Sequence, residues 1–475
     1  MKWVADRGFL YNVHWEVTYR CNEKCVHCYN PGAAHLPHEV PERQTDELSH
    51  DEAIRLFDEM KAAGVFRITL SGGEVTLRND FWELVEAARS RGFSVNIYTN
   101  GLHLDTKACE RLSQLWPSSV SVSVYSDDPL THDKITNVKG SFERSINALK
   151  ILNELGIKTF LKSTQMSHTI NGYQKVKNLA ATLGAAAEID MTMSSSVDGS
   201  DAPLSLANFR PEELVLLAAT PDSPLFVGDQ SNNYGYVQKD FDATVCGAGI
   251  STMSIDPEGN ITPCASMPLP TGSFRRDGFL NIWRSSKQFR SAQNQSKPEN
   301  DFVRFSDSVK VLSSWQEIRL RDYSECGTHR RCGWCNKCPG LAMLEHGDLL
   351  GPSTTNCRMA SARMIAADLI MNGNSREEIA RILNVSSTFG VMNPGPLPVM
   401  KESVRGSGFD SKSVALNVMH DCGSCNSKSG CQSLASSSYK NLLGNETLRN
   451  GTTSTREVIQ AFENLADNLG LKGDS

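Results

Sequence analysis

An α/β fold built on a six-stranded parallel sheet, curved or closed, is what this 475-residue sequence predicts. Three observations carry that prediction. Amphipathic helical runs alternate with short β-branched runs across residues 50–192. A glycine repeatedly separates a helix from the strand that follows it. The unusual polar and cysteine residues fall directly after strands, where parallel sheets place their functional groups.

The elements follow in chain order. The opening strand is Val13–Thr18. Ser49 and Glu52 form a capping box ahead of Ala53, Ile54, Phe57 and Met60, which share one helical face. Gly64 ends that helix in the left-handed conformation, and the strand Phe66–Leu70 follows. The same grammar gives a helix through Phe81, Leu84, Val85 and Ala88, then Gly92 and the strand Ser94–Thr99. The strand Ser119–Tyr125 follows Pro117. A helix through Phe142, Ile146, Leu149 and Leu152 leads through Gly156 to the strand Lys158–Thr164. Val176 and Leu179 lead through Gly184 to the strand Ala187–Met191. Helical crossovers between successive strands require parallel pairing. A closed barrel and a doubly wound open sheet satisfy this pattern equally.

Composition narrows the class. Apolar residues make up 39% and charged residues 21%, enough for a folded core. The net charge of -6 and the lack of a Lys/Arg stripe give no reason to expect a nucleic-acid partner. No apolar run is long enough to span a membrane, and the N-terminal stretch lacks a signal core. The expectation is a soluble cytoplasmic protein with no membrane partner. Its 14 cysteines then suggest metal or redox chemistry rather than disulfides. Only Cys109 is isolated, as an ordinary core residue.

Cys21, Cys25 and Cys28 are spaced C-x3-C-x2-C after the first strand. Three thiolates on one loop can hold three corners of a [4Fe–4S] cluster and leave one iron open. A zinc loop completed by His27 or a distant ligand is the alternative on spacing alone. The string resembles the signature of the radical S-adenosylmethionine (SAM) family, with His27 in its aromatic slot. Ser71-Gly72-Gly73-Glu74 resembles the family's glycine-rich SAM motif. Thr99-Asn100-Gly101 resembles its ribose-side loop, and Ser123 a strand-end serine. The resemblance covers residues 11–195 and implies a six-stranded partial (β/α)6 TIM-type barrel. It also implies a SAM-binding [4Fe–4S] cluster on Cys21, Cys25 and Cys28, and cleavage of SAM to a 5′-deoxyadenosyl radical. Gly72, Gly73, Glu74, Thr99, Asn100 and Ser123 are then cofactor-binding. His27 and Tyr29 pack on adenine, and Lys162 and Gln165, which end the fifth strand, either face SAM or form a solvated strand end.

Cys246 and Cys264 flank a hairpin around Pro257-Glu258-Gly259-Asn260. Cys326, Cys332, Cys335, Cys338 and Cys357 follow. A loop-rich module of this kind takes its core from metal, and four zinc cysteines are an alternative. The order resembles the SPASM extension of radical SAM enzymes, which implies one or two auxiliary [4Fe–4S] clusters. The grouped spacing x5, x2, x2 departs from the usual x2, x5, x3. By order, Cys246, Cys264 and Cys338 serve the first auxiliary cluster, and Cys326, Cys332, Cys335 and Cys357 the second. The first then lacks a fourth cysteine and would bind substrate or a non-cysteine ligand.

The expected domains are a radical SAM core at 1–225, the SPASM domain at 226–360 and a C-terminal extension at 361–475. The extension combines helices with a Gly/Pro/Ser-rich stretch and Cys422, Cys425 and Cys431. These three are reduced thiols, a further metal site or part of a peptide-recognition segment. The resemblance implies a maturase of a ribosomally made peptide that forms a thioether or carbon–carbon cross-link. Its partners would be a peptide or protein substrate and a flavodoxin or ferredoxin type electron donor. Sulfatase-maturing and tetrapyrrole-modifying enzymes are alternatives, as is a non-catalytic zinc scaffold. Ala265, where sulfatase-maturing relatives carry an acid after the second hairpin cysteine, counts against the first of these.

Overall fold

A computed structural model describes residues 9–30, 46–196, 203–227, 240–294, 307–387, 389 and 455–469. Cys422, Cys425 and Cys431 lie outside the described residues. The six predicted strands are β1 (Asn12–Thr18), β2 (Arg67–Gly72), β3 (Ser94–Thr99), β4 (Ser119–Ser123), β5 (Thr159–Thr164) and β6 (Ala186–Asp190). Between them run α1 (His50–Ala62), α2 (Phe81–Ser90), α3 (Thr106–Gln114), α4 (Pro129–Thr136), α5 (Ser141–Glu154) and α6 (Tyr173–Thr182). The strands pair in parallel in sequential order, β1 through β6. Same-handed crossovers between sequential neighbours place every helix on one face. The order never reverses, so the doubly wound alternative falls, and β6 is left as an open edge of a partial barrel.

The sheet continues past β1 in a way the helix–strand grammar could not reveal. β7 (Thr252–Ile255) pairs parallel with β1, and β8 (Asn260–Thr262) and β9 (Gly272–Ser273) extend the sheet antiparallel. The second cysteine module is thus built onto the barrel wall. Beyond it lie α7 (Pro211–Ala218), earlier in the chain, and then α8 (Phe274–Asp277), α9 (Phe279–Asn294), α10 (Asp307–Glu317) and α11 (Pro339–His346). The last helices are α12 (Thr354–Met371), α13 (Arg376–Ile382) and α14 (Thr455–Asn468). α7, α12, α13 and α14 share one apolar core with Trp334, Ile365, Ile379 and Phe462.

Strand alternation divides the sheet into two faces. Val13, Trp15, Ile68, Ile97, Val122 and Leu161 join the helix-side core. The opposite face carries Asn12, His14, Thr69, Asn96, Ser121 and Lys162, with Thr69 Oγ1 donating to Asn12 Oδ1 at 3.4 Å. A parallel sheet buried against apolar layers on both faces reads as a continuous apolar run; this face is polar instead. Trp15 is fully buried and packs edge-on against Phe57 at 5.6 Å. Trp15→Ala is expected to cost about 3–5 kcal/mol of stability, read as the shift in urea midpoint at constant m-value.

The capping box of α1 forms as predicted, and Glu52 does more than cap. Its carboxylate accepts from Ser49 N at 2.8 Å and from Arg275 Nε at 2.8 Å and Nη2 at 3.0 Å, tying α1 to α8. The Arg275 hydrogen bonds hold the Glu52 carboxyl down to about 2, from 4.5. A depressed folded pKa stabilises above the unfolded value and is lost as pH falls through the folded one. Glu52→Gln is therefore expected to melt below wild type at pH 7, with the gap closing between pH 4.5 and 2. A gap that stays constant over that range would sink this account.

Candidate active site and cluster-binding groups

The loop carrying Cys21, Cys25 and Cys28 leaves the C-terminal end of β1 and is pinned from the end of α4. Lys24 N and Val26 N donate to Thr136 O and Ile135 O at 2.9 and 3.0 Å, and Asn137 Nδ2 donates to Lys24 O at 2.7 Å. Burial pushes the Cys21 thiol up to about 12 and raises those of Cys25 and Cys28. Burial likewise lifts Glu23 to about 8 and Glu16 to about 7. Buried donors of this kind ionise only beside a compensating cation. An iron cluster supplies that charge. Three thiols on one loop fit three of its corners. Among the described residues, no three Cys, His, Asp or Glu side chains converge as ligands of a single ion.

Neither Gly72 nor Gly73 has room for a side chain. A Cβ on Gly72 would stand 2.2 Å from Thr18 O, and one on Gly73 2.2 Å from Arg20 O. Gly73 N and Glu74 N donate to those same carbonyls, both at 2.8 Å. The glycines thus let the end of β2 lie against the cysteine loop. Glu74 is fully buried. It accepts from Thr76 Oγ1 at 2.6 Å, and from Thr99 Oγ1 and Asn100 N, both at 2.7 Å. Asn100 Nδ2 in turn donates to Asn22 Oδ1 at 2.6 Å. Three predicted loops, those of Cys21, Glu74 and Thr99, are one hydrogen-bonded unit.

His27 meets Tyr125 edge-on at 4.4 Å, and Tyr125 stacks on His132 at 5.6 Å. His27 Nδ1 and His132 Nε2 are buried without partners among the described residues. Burial lowers both imidazoles to about 4, leaving them neutral. Tyr29 turns away from this stack and donates to Glu16. Ser123 is level with Lys162 across the β4–β5 pairing. Lys162 Nζ sits 3.7 Å from Glu188 and 4.2 Å from the centre of the Tyr98 ring. Gln165 is fully buried and donates to Ser163 Oγ at 2.7 Å. His132, Glu16 and His14 were not singled out from the sequence. Their alternation on β1, and the buried position of His132, emerge only with the strands placed.

The remaining cysteines fall into two groups. Cys246 precedes β7, Cys264 follows β8, and Cys338 caps the N-terminus of α11. Burial, with the nearby Cys338 and Cys264, pushes the Cys246 thiol up to about 11. Gly340 brings α11 against the turn after Cys264, since a Cβ there would lie 2.2 Å from Ser266 O. The other group joins Cys326, Cys332 and Cys335 to Cys357, in the first turn of α12. Burial pushes the Cys357 thiol up to about 12, with added influence from Cys335, Cys326 and Cys332. Cys338 acts on Cys246 and is itself acted on by Cys264, despite standing beside Cys335 in the sequence. Cys109 is buried in the helix-side core.

Residues 15–176 match the model of the radical SAM superfamily, and residues 246–303 match SPASM, an iron–sulfur cluster-binding domain. The chain thus carries a radical SAM domain and a SPASM domain; it is an enzyme that uses SAM and [4Fe–4S] clusters. It is 26% identical to the AdoMet-dependent heme synthase of Methanosarcina barkeri over 59% of this chain and 84% of that protein. It is 29% identical to the mycofactocin maturase of Mycolicibacterium smegmatis over 58% of this chain and 70% of that one. The sporulation killing factor maturation protein of Bacillus subtilis is 29% identical over 56% and 63%. Among the described residues, no helix is long and apolar enough to cross a membrane.

Proposed function

We propose that this enzyme is a maturase that abstracts hydrogen from a ribosomally synthesised peptide and installs a cross-link such as a thioether or carbon–carbon bond. The observation that carries the reading is the joining of a SAM-type cysteine loop and two further thiol groups through one continuous sheet, β1 to β7. Relatives named as maturases of mycofactocin and of sporulation killing factor support a peptide substrate. In this reading Cys21, Cys25 and Cys28 hold the SAM-binding cluster. Gly72, Gly73, Glu74, Thr99, Asn100, Ser123, His27, Tyr29 and Lys162 form the cofactor's surroundings. Cys246, Cys264 and Cys338 hold one auxiliary cluster, and Cys326, Cys332, Cys335 and Cys357 another. A flavodoxin or ferredoxin type protein is the proposed electron donor.

The chemistry the cofactors supply when bound is one-electron cleavage of SAM and hydrogen abstraction by the resulting 5′-deoxyadenosyl radical. The chain's own work is placement. The bonds from Glu74 fix the SAM-side loops relative to one another. The neutral His27–Tyr125–His132 stack walls the site against water, and the polar inner face orients substrate inside the barrel. Tyr29 holds a proton against the buried Glu16 carboxylate.

A second reading, modification of a tetrapyrrole side chain, draws on the 84% coverage of the heme synthase relative. Reconstituted enzyme, SAM and reductant would be incubated anaerobically with short peptides encoded beside its gene, or with a porphyrin precursor. The expected result is loss of hydrogens from one peptide by mass spectrometry, matched by 5′-deoxyadenosine. Turnover of the porphyrin alone would overturn the peptide reading.

A further inference from the structure

We propose that Lys337 raises the reduction potential of the auxiliary cluster on Cys326, Cys332, Cys335 and Cys357, making it the better electron acceptor of the two. The inference rests on that cluster assignment. Lys337 Nζ lies 2.8 Å from Cys326 Sγ and donates to Gly351 O at 2.6 Å. Its ammonium also sits 4.2 Å from the centre of the Tyr323 ring. A lysine on a flexible stem normally stays in water; this one is held by a sulfur, a carbonyl and an aromatic face.

The placement has an electrostatic consequence. Adding one electron to a cluster adds one negative charge, and hydrogen bonds and positive charge at the sulfurs favour the reduced form. Partial burial strengthens the effect by lowering the local dielectric. The two thiol groups differ in this respect. Cys357 feels Arg331 and Cys335 feels Arg363, in addition to Lys337 at Cys326. Glu325 offsets part of this at Cys326, and Cys338, in the other group, feels Glu345. Tyr323 is buried between the groups, influenced by Cys246, Cys326 and Cys338, and its Oη has no partner among the described residues. Its ring fixes Lys337 on the Cys326 side. The charge difference directs electrons from the group of Cys246 toward that of Cys326.

The test is a redox titration followed by electron paramagnetic resonance on the full chain, reconstituted anaerobically. Wild type, Lys337→Gln and Lys337→Arg would be compared, with iron counted in each. The expected result is a lower midpoint for one auxiliary signal in Lys337→Gln, largely restored in Lys337→Arg. The signal that responds to added SAM should not move. Full iron with unchanged midpoints in Lys337→Gln overturns the inference, and so does a loss of about four irons from both variants. A wild type that binds only about four irons overturns the cluster assignment itself, which separates the two failures.

Discussion

Alanine at Cys21, Cys25 and Cys28 together is expected to abolish SAM cleavage while lowering bound iron from about twelve to about eight per chain. The abolition follows from the proposed chemistry: these thiols are the proposed ligand set, and no other described cysteine lies on their loop. The partial retention of iron follows from architecture. Cys246, Cys264 and Cys338 are placed by β7, β8 and α11, and Cys357 by α12. None of these elements depends on the loop after β1. Anaerobic iron and sulfide analysis, with quantified 5′-deoxyadenosine, checks both halves. A fall from about four irons to none would remove the auxiliary clusters from the account.

Gly73→Ala is expected to be nearly as damaging, although it removes no ligand. The new Cβ would lie 2.2 Å from Arg20 O and 2.7 Å from Tyr19 O, both backbone atoms that no rotamer change can clear. Relief requires the end of β2 to move from the cysteine loop, breaking the Gly73–Thr18 and Glu74–Arg20 bonds. Overpacking of this kind costs about 1–3 kcal/mol or more, and displacement of an active-site loop by about an ångström can cost about a hundredfold in rate. A fall in SAM affinity and cleavage of at least about tenfold is expected. Gly64→Ala is the control: Gly64 has a positive φ, which Gly73 does not, but nothing lies within 4 Å of its Cβ. It should lose only about 1 kcal/mol of stability, with SAM binding unchanged. Equal SAM affinity in wild type and Gly73→Ala would show that the contact does not hold the loop.

Much of the barrel was legible because its signals are local. A capping box, a helical stripe and a terminating glycine report on neighbours a few residues apart, and α1 with Gly64 obeys them. The three SAM-side loops were legible because parallel strands send their C-terminal ends to one edge. Two things were not. The order of strands decides between one helical layer and two, and order is a property of pairing rather than of any segment. The close contact of Gly72 and Gly73 with the cysteine loop also escaped, since what a missing Cβ makes room for depends on a distant backbone.

The sequence by itself determined the helix–strand alternation, the cysteine inventory and the loops that carry the chemistry. Those follow from side-chain periodicity and spacing along one chain. Only the tertiary structure decided that β7 joins β1, which brings the strand between Cys246 and Cys264 onto the barrel wall. It alone placed Lys337 on the Cys326 sulfur. The first of these contacts joins segments 240 residues apart, and the second spans 11 residues. Burial and backbone hydrogen bonding select them only once the sheet has formed.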